Sequence, residues 1–308
     1  MSVVTVVVPT VGRPSLAATL RAVAGRLPVL VVDDRPRPEP LAVPDGVRVL
    51  RSSGRGPAAA RNVGWRHCRT EWVAFLDDDV EPPTDWPELL LADLRMAASA
   101  VGGVQGRVRV PTSTRPTDWE RTTQGLETAV WATADLAYRR AALEQVGGFD
   151  ERFKRAYRED ADLGLRVTQA GWQIVPGRRW VRHPVRPARW TESIRSQRGN
   201  ADDVLMLALH GPAWRARAQA PPGRRPWHLL TTAALGAAAV PRLRSVALPL
   251  WSLLVADFAR RRISPGPASP REVATMAVTS AAIPPAATWW WLAGWARLPR
   301  QRARGGPR

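Results

Sequence analysis

The segment Val73-Ala-Phe-Leu-Asp-Asp-Asp-Val80 places three consecutive carboxylates at the end of an apolar run. The run is short and Pro82-Pro83 follows it, so it predicts a buried strand with Asp77–Asp79 at its C-terminal end. Open α/β sheets bind ligands at that edge. Adjacent carboxylates repel one another unless a cation offsets their charge. The segment therefore indicates a site for a hard divalent cation, Mg2+ or Mn2+. The alternatives are an acidic turn after the strand and an N-cap for a helix that begins near Trp86.

The residues before this segment form a strand, helix and strand pattern. A β-branched run over residues 3–9 stops at a Pro, Thr and Gly turn, an amphipathic helical pattern follows over residues 16–23, and a second apolar run ends in Asp33-Asp34. Further elements are expected as a strand at Val47–Leu50, a helix at Pro57–Cys68 and a strand at Trp72–Leu76. This alternation predicts a mostly parallel sheet flanked by helices, with two strands ending in acids where a nucleotide and its metal share a crevice.

Six short motifs occur in a fixed order within about the first two hundred residues. They are Val8–Arg13, Val31–Asp34, Gly56–Gly64, Phe75–Asp79, Tyr138–Arg140 with Gly147–Asp150, and Glu159–Arg166. In order and spacing they resemble glycosyltransferases of family 2, which have the Rossmann-like GT-A fold. The resemblance implies an inverting transfer of a sugar from a nucleoside-diphosphate sugar to a hydroxyl acceptor, with Mn2+ or Mg2+ as cofactor. We expect the product to be a cell-envelope glycan, a glycolipid or a glycosylated metabolite.

The resemblance also assigns residues to the donor. The expected donor-binding residues are Pro9, Thr10, Gly12, Arg13, Asp33, Asp34, Arg61, Asn62, Asp77, Asp78, Arg195 and Arg198. The guanidinium of Arg13 suits a phosphate, and Asp33 or Asp34 would accept from the imide N–H of the base or from a ribose hydroxyl. Arg35-Pro36 stands where the family usually has small polar residues, so the identity of the base is left open. Arg195 or Arg198 resembles a basic clamp over the diphosphate.

The segment from Arg158 to Asp162 opens a predicted helix with three acids in its first turn. The helix dipole favours acids there, which by itself explains Glu159 and Asp162. The resemblance gives catalytic roles to Asp160, as general base, and to its neighbour Glu159. A sugar hydroxyl has a very high pKa, so a carboxylate within hydrogen-bond reach assists as the proton leaves. The reaction implied is a single in-line displacement in which the metal offsets charge on the departing nucleoside diphosphate.

A third metal ligand is expected from the short strand that ends at His183. With Asp77 and Asp79 this histidine would complete the metal site that the resemblance implies, whereas a purely structural histidine is the alternative. The stretch Thr133–Tyr138 matches an acceptor-side segment of the family. Asp135 stands there where Asn is more usual, which leaves the acceptor open.

Length and composition predict two regions in the chain. A GT-A domain is expected over residues 1–203, followed by a helical, Arg- and Trp-rich region over residues 204–308. Because Cys68 is the single cysteine, no internal disulfide is expected. The chain enters a strand at once without a signal-like segment, so a cytoplasmic location is expected.

The C-terminal third carries much of the net charge of +18. From Val204 onward there are fifteen Arg against two acids, together with seven of the fifteen Trp. Arg side chains bind lipid phosphates and Trp side chains lie at the level of the headgroups. We therefore expect contact with the inner face of the cell membrane, and a lipid-linked acceptor, rather than binding to nucleic acid. Three apolar helical segments are expected, at Trp227–Val240, Val246–Ala259 and Val273–Ala296.

The last of these segments is long enough to span a bilayer. Pro284-Pro285 is expected to break it, so a helical hairpin lying in the membrane interface fits better than a span. A helical subdomain packed on the catalytic domain is the alternative to membrane contact.

Two other functions remain open on the sequence. A nucleotidyltransferase would need a Gly-rich phosphate loop with a lysine near the N-terminus, and the chain has one lysine, Lys154. A membrane scaffold that has lost catalysis is the other alternative, although Asp77–Asp79 and Asp160 argue against it.

Overall fold

The computed structural model of the protein describes residues 3–304, so residues 305–308 of the expected C-terminal region lie outside the described residues. The strands are β1 (Val4–Thr10), β2 (Val29–Asp33), β3 (Arg48–Arg51), β4 (Trp72–Leu76), β5 (Val101–Arg109), β6 (Asp135–Arg139) and β7 (Gln173–Arg182). The α-helices are α1 (Leu16–Val23), α2 (Pro57–Arg66), α3 (Trp86–Met96), α4 (Asp118–Gln124), α5 (Arg140–Val146), α6 (Glu159–Gln169), α7 (Glu192–Arg195), α8 (Asn200–His210), α9 (Trp214–Arg217), α10 (Arg225–Ala238), α11 (Arg244–Ile263) and α12 (Pro270–Arg304).

The seven strands form one mixed sheet in the order β3-β2-β1-β4-β6-β5-β7. Strands β3, β2, β1 and β4 run parallel, β6 is antiparallel to both β4 and β5, and β7 is parallel to β5. After β1 the chain forms β2 and β3 on one side of β1, and it then returns to form β4 on the other side of β1. A crevice for ligands is expected at such a switch point, outside the carboxyl ends of β1 and β4. The expected mostly parallel sheet flanked by helices is confirmed.

The central strands are buried because their side chains are β-branched or apolar on both faces. The side chains of β2 and β4 are all buried, and Val6–Val8 of β1 have no exposed surface. Helix α2 lies close to β1 because Gly64 has no side chain: a Cβ there would come within 2.3 Å of Val7 Cγ1. This close packing fixes the position of Arg61, one turn earlier on the same helix.

The chain divides into two compact units. The first unit holds the sheet and comprises Met1–Pro111, Leu126–Pro184 and Arg217–Gln219. The second unit comprises Thr112–Gly125, Val185–Ala216 and Ala220–Arg308. Residues 112–125 and 185–203 belong to the same unit as the C-terminal helices, so the two compact units do not coincide with the expected division after residue 203. Compactness alone does not define a domain, and the boundary at residue 203 stays a prediction.

The expected break at Pro284-Pro285 was wrong. Helix α12 continues through both prolines and through Pro299. A proline inside a helix costs about 3 kcal/mol through a lost hydrogen bond and a steric clash, so packing must offset it. Ile283 and Ala287, on either side of the pair, are buried within the second unit. Among the described residues, no helix combines the length and the apolar character needed to cross a membrane.

Candidate active site

Side chains from the end of β1 bind the acidic segment that follows β4. Thr10 Oγ1 donates to the Asp78 carboxylate at 2.5 Å, and Gly12 N donates back to Thr10 Oγ1 at 2.9 Å. The Arg13 guanidinium also donates to Asp78, and its Nη1 lies 3.8 Å from Asp79 Oδ2. The structure thus brings four predicted donor residues, Thr10, Gly12, Arg13 and Asp78, to one edge of the sheet. Pro9 lies within β1, opposite Val32 of β2.

The acidic segment is also tied to the end of β7. Glu81 and Arg182 exchange two backbone hydrogen bonds, of 2.7 and 3.0 Å. This pairing places His183, the next residue, beside Asp79, with 3.5 Å between His183 Nε2 and Asp79 Oδ1. Both side chains are buried, and His183 Nδ1 has no hydrogen-bond partner in the described part of the chain.

Asp79 and His183 suit a divalent cation in kind and in spacing. Two cis ligands that each lie about 2.1 Å from a metal are about 3 Å apart, which is close to the observed separation. The Asp77 carboxylate is instead bound to Arg61, because its Oδ1 accepts a 2.8 Å hydrogen bond from Arg61 Nη2. Within residues 3–304, no group of three His, Cys, Asp or Glu is arranged to hold an ion. The full set of Asp77, Asp79 and His183 therefore stays a prediction.

Arg61 joins the two acidic motifs of the site. Its buried guanidinium donates from Nη1 to Glu159 Oε1 at 3.0 Å and from Nη2 to Asp77, and Nη1 lies 3.8 Å from Asp160 Oδ1. The three carboxylates hold the pKa of Arg61 above its ordinary value, although burial alone would lower it. A fixed positive charge therefore lies between the carboxylate that follows β4 and those that begin α6.

Asp160 is held in position by Thr133. Its two carboxylate oxygens accept from Thr133 N at 3.0 Å and from Thr133 Oγ1 at 2.8 Å. About a quarter of the Asp160 side chain stays exposed, 26%, whereas Glu159 is buried. Burial raises the pKa of Asp160, and burial together with the Asp160 charge raises the pKa of Glu159 to about 8. Asp160 can thus reach a ligand and is a stronger base than an ordinary aspartate.

The role of Thr133 was not expected from the sequence, and Asp135, which left the acceptor open there, has a structural role. Asp135 has no exposed surface, and it accepts from Arg179 Nε at 2.8 Å and from Trp86 Nε1 at 2.9 Å. It therefore lies in a buried ion pair that joins β6 to β7, and it does not face an acceptor. The signal was present in the sequence, since the Thr133–Tyr138 motif begins with the hydroxyl that positions Asp160.

The expected base-binding acids are both engaged by their neighbours. Asp33 accepts from three donors of Arg35, the backbone N at 3.0 Å, Nε at 2.9 Å and Nη2 at 2.7 Å. Asp34 accepts from Ser52 Oγ at 2.7 Å and from Gly56 N at 2.9 Å. Burial alone would raise the pKa of Asp33, but the hydrogen bonds from Arg35 lower it overall.

Both amide atoms of Asn62 form hydrogen bonds to other residues of the protein. Its amide nitrogen donates to Phe149 O and to Glu151, and its amide oxygen accepts from Trp65 Nε1 and Phe149 N, all at 2.8–3.0 Å. The structure thus uses Asn62 to hold the Gly148–Glu151 segment against α2, and its contact with a donor stays a prediction.

Two predicted clamp residues belong to the second unit. Arg195 ends α7, and the Arg198 guanidinium lies 5.6 Å from the ring centre of Trp290. Their role over a diphosphate stays a prediction. The second unit also contains a cavity of about 480 Å³. None of the predicted site residues lines this cavity, so volume alone does not identify the catalytic crevice.

Comparison with known proteins adds independent information. The model of the family "Glycosyl transferase family 2" matches residues 5–162. A pre-mycofactocin glycosyltransferase of Mycobacterium tuberculosis is 34% identical over 191 residues, which cover 56% of this chain and 40% of that protein. The succinoglycan biosynthesis protein ExoM of Rhizobium meliloti is 30% identical over 244 residues, which cover 67% of this chain and 76% of that protein. The chain thus spans only about two fifths of the mycobacterial relative.

A solved structure shares the fold. The mannosyltransferase PcManGT from Pyrobaculum calidifontis, solved in complex with GDP-Man and Mn2+, superposes with a TM-score of 0.52 and 19% identity. The superposition covers 96% of this chain and 86% of that one. At this identity the likeness shows the fold alone.

Proposed function

Because the chain belongs to glycosyltransferase family 2, we propose that it transfers a sugar from a nucleoside-diphosphate sugar to a hydroxyl acceptor. The transfer is a single displacement that inverts the anomeric carbon and depends on a divalent cation. The observation that carries this proposal is the buried Arg61, which joins Asp77 at the end of β4 to the pair Glu159 and Asp160. The candidate base and the donor-side acids therefore share one crevice at the switch point of the sheet.

The site residues divide the chemistry as follows. Asp160 accepts the proton of the acceptor hydroxyl as the new glycosidic bond forms, and Thr133 keeps both of its oxygens oriented. Arg13 is the phosphate contact, because its guanidinium lies at the turn after β1 beside Asp78 and Asp79. Arg61 holds Asp77 and the α6 carboxylates in place with its fixed charge.

Asp79 and His183 are the residues that would hold Mn2+ or Mg2+. Asp77, the third ligand that the sequence predicted, binds Arg61 through Oδ1 and would have to ligate through its other carboxylate oxygen. Carboxylate and imidazole donors fit such an ion, and the Nε2 nitrogen of His183 faces Asp79 Oδ1. When bound, the ion supplies positive charge against the departing nucleoside diphosphate.

The product that we propose is a cell-envelope glycan, a glycolipid or a glycosylated metabolite, made on a hydroxyl acceptor. The name of the rhizobial relative, a succinoglycan biosynthesis protein, favours a glycan. A lipid-linked acceptor would require the enzyme to work at a membrane surface, at the cytoplasmic face where nucleotide sugars are expected.

A membrane-binding surface is supported by the second unit. Val246, Leu250 and Leu253 follow one another at i, i+4 and i+7 on α11, so they form a stripe on one face of the helix. They are 73%, 40% and 69% exposed. Arg242 and Arg244 are exposed just before the stripe. Apolar side chains next to arginines match an anionic bilayer surface, because the first insert among acyl chains and the second meet lipid phosphates.

Co-flotation with vesicles tests this surface. We expect the protein to float with vesicles that contain phosphatidylglycerol, less with phosphatidylcholine alone, and less in high salt. The double substitution Val246→Asp and Leu253→Asp should lower flotation at least about fivefold, because it removes apolar area from the stripe. Met96→Asp, at an equally exposed apolar residue of the first unit, is the matched control. Protein that stays unbound with every vesicle would exclude membrane contact.

A panel of UDP-, GDP- and dTDP-sugars tests the catalytic proposal, with Mn2+ or Mg2+ and with EDTA. We expect metal-dependent release of nucleoside diphosphate from one donor, and transfer when an acceptor is supplied. Neither release nor calorimetric binding of any donor would favour a non-catalytic scaffold. Release of pyrophosphate from a nucleoside triphosphate would indicate the alternative, a nucleotidyltransferase.

A further inference from the structure

The hydroxyl of Thr19 is bonded to the acidic segment that follows β4. Thr19 lies in the middle of α1 and has no exposed surface. Its Oγ1 donates to Val80 O at 2.7 Å, and Asp77 O lies 3.4 Å from the same hydroxyl. Val80 directly follows Asp79, so this bond fixes the backbone beside a residue that we assign to the metal.

Such a bond is not the usual one for a threonine inside a helix. The hydroxyl commonly donates to the carbonyl four residues earlier in the same helix, as those of Thr122, Thr231 and Thr279 do in this protein. Thr19 instead donates to a residue 61 positions away in the sequence. Its hydroxyl therefore joins α1 to the acidic segment.

The carbonyl of Val80 depends on this hydroxyl. Val80 has no exposed surface, and among residues 3–304 no other group donates to its carbonyl oxygen. A buried carbonyl that lacks a donor is unfavourable. Without the Thr19 hydroxyl the backbone at Val80 would shift towards another donor, and the neighbouring Asp79 would shift with it.

A second pair of bonds fixes the segment on the other side of Val80. Glu81 and Arg182 exchange backbone hydrogen bonds, which place His183 beside Asp79. The separation of 3.5 Å between His183 Nε2 and Asp79 Oδ1 thus depends on bonds at two successive residues, Val80 and Glu81. Metal ligands must keep their distances to within about 0.2 Å, so a small shift at either residue is enough to weaken binding.

We propose that Thr19 is a positioning residue for the divalent cation, because its hydroxyl keeps Asp79 at the distance from His183 that a shared ion requires. The proposal rests on the proposed function, since it takes these two residues as metal ligands. Thr19 touches neither the ion nor the substrate and acts through the backbone at Val80. Loss of its hydroxyl should therefore weaken metal binding although every ligand is still present.

Electron paramagnetic resonance of Mn2+ tests this role in Thr19→Val, which nearly keeps the volume of the side chain and removes the hydroxyl. We expect Mn2+ to bind about three- to tenfold more weakly, the effect of losing one hydrogen bond. Thr19→Ser keeps the hydroxyl and should bind Mn2+ nearly as tightly as the unmodified protein. If Thr19→Val does not fold, Thr19→Ala removes the same hydroxyl without adding a methyl group and gives the same test.

A matched control separates positioning from loss of stability. Thr5 is also buried in the first unit, and its hydroxyl accepts from Thr70 Oγ1 at 2.9 Å at the amino end of β1. Thr5→Val should lower the midpoint of thermal unfolding, as Thr19→Val does, but leave the Mn2+ affinity unchanged.

Two results would overturn the role of Thr19 alone. One is an unchanged Mn2+ affinity in the folded Thr19 variants that lack the hydroxyl, and the other is an equal loss of affinity in Thr5→Val. Absence of Mn2+ binding by the unmodified protein is a different result, because it would overturn the metal site of the proposed function and this role with it.

Discussion

Replacing Asp160 by Asn is expected to lower the rate of sugar transfer by about a hundred- to ten-thousand-fold, the usual contribution of a general base. Asn keeps the size of the side chain and can still accept from Thr133, but it cannot take up the proton of the acceptor hydroxyl. Nucleotide binding should be nearly unchanged. The measurement is the initial rate of transfer with the donor found in the panel, together with calorimetric binding of its nucleoside diphosphate.

The control for this variant is Glu144→Gln, a neutralised acid on an exposed part of α5. Its rate should match that of the unmodified protein. A rate for Asp160→Asn within a few-fold of the control would mean that another group accepts the proton. Glu159 would be a candidate for that group, and a Glu159→Gln variant that is as active as the unmodified protein would exclude it.

The pH profile gives a further test of the same assignment. A base acts in its deprotonated form, so the rate of the unmodified enzyme falls as the pH drops through the pKa of Asp160. Burial raises that pKa above the ordinary value of 3.8. The acid limb of the profile should therefore lie at a higher pH than that of an exposed aspartate, and the residual activity of Asp160→Asn should lack it.

Removal of the divalent cation is the second change with a large expected effect. We expect EDTA to lower activity at least about a hundredfold, and Mn2+ or Mg2+ to restore it, because the ion offsets charge on the leaving diphosphate. Asp79→Asn should weaken Mn2+ binding at least about tenfold, because even the outer-shell partners of metal ligands contribute about ten- to a hundredfold. Electron paramagnetic resonance measures this binding without any turnover. Asp85→Asn, an exposed acid of the same loop, is the matched control.

Full activity of the unmodified protein in EDTA would contradict this prediction. The positive charges of Arg13 and Arg61, which already contact Asp78 and Asp77, would then be the groups that stabilise the departing nucleoside diphosphate. Loss of Mn2+ binding in Asp85→Asn would instead show that the loop, and not the Asp79 carboxylate, governs affinity.

Several features of the site followed from local patterns. The run Trp72–Leu76 was expected as a strand and is β4, because its side chains are all apolar or β-branched and prolines follow soon after it. The acids that open α6 were expected at a helix start, where the dipole favours them. The prediction at Pro284-Pro285 failed because intrinsic propensity is a weak constraint when neighbouring helices bury both sides of a proline pair.

The sequence by itself determined the fold class and the two acidic motifs, since strand runs, helical periodicity and the order of the motifs are local properties of the chain. The tertiary structure decided which groups meet. Arg61 binds Glu159 across 98 residues, and Arg13 binds Asp78 across 65. It also decided that Asp135 is buried in an ion pair with Arg179 and that Arg35 covers Asp33. The physical reason is that hydrogen bonds and charge neutralisation depend on distances of about 3 Å between side chains, and only the packed sheet and helices set those distances.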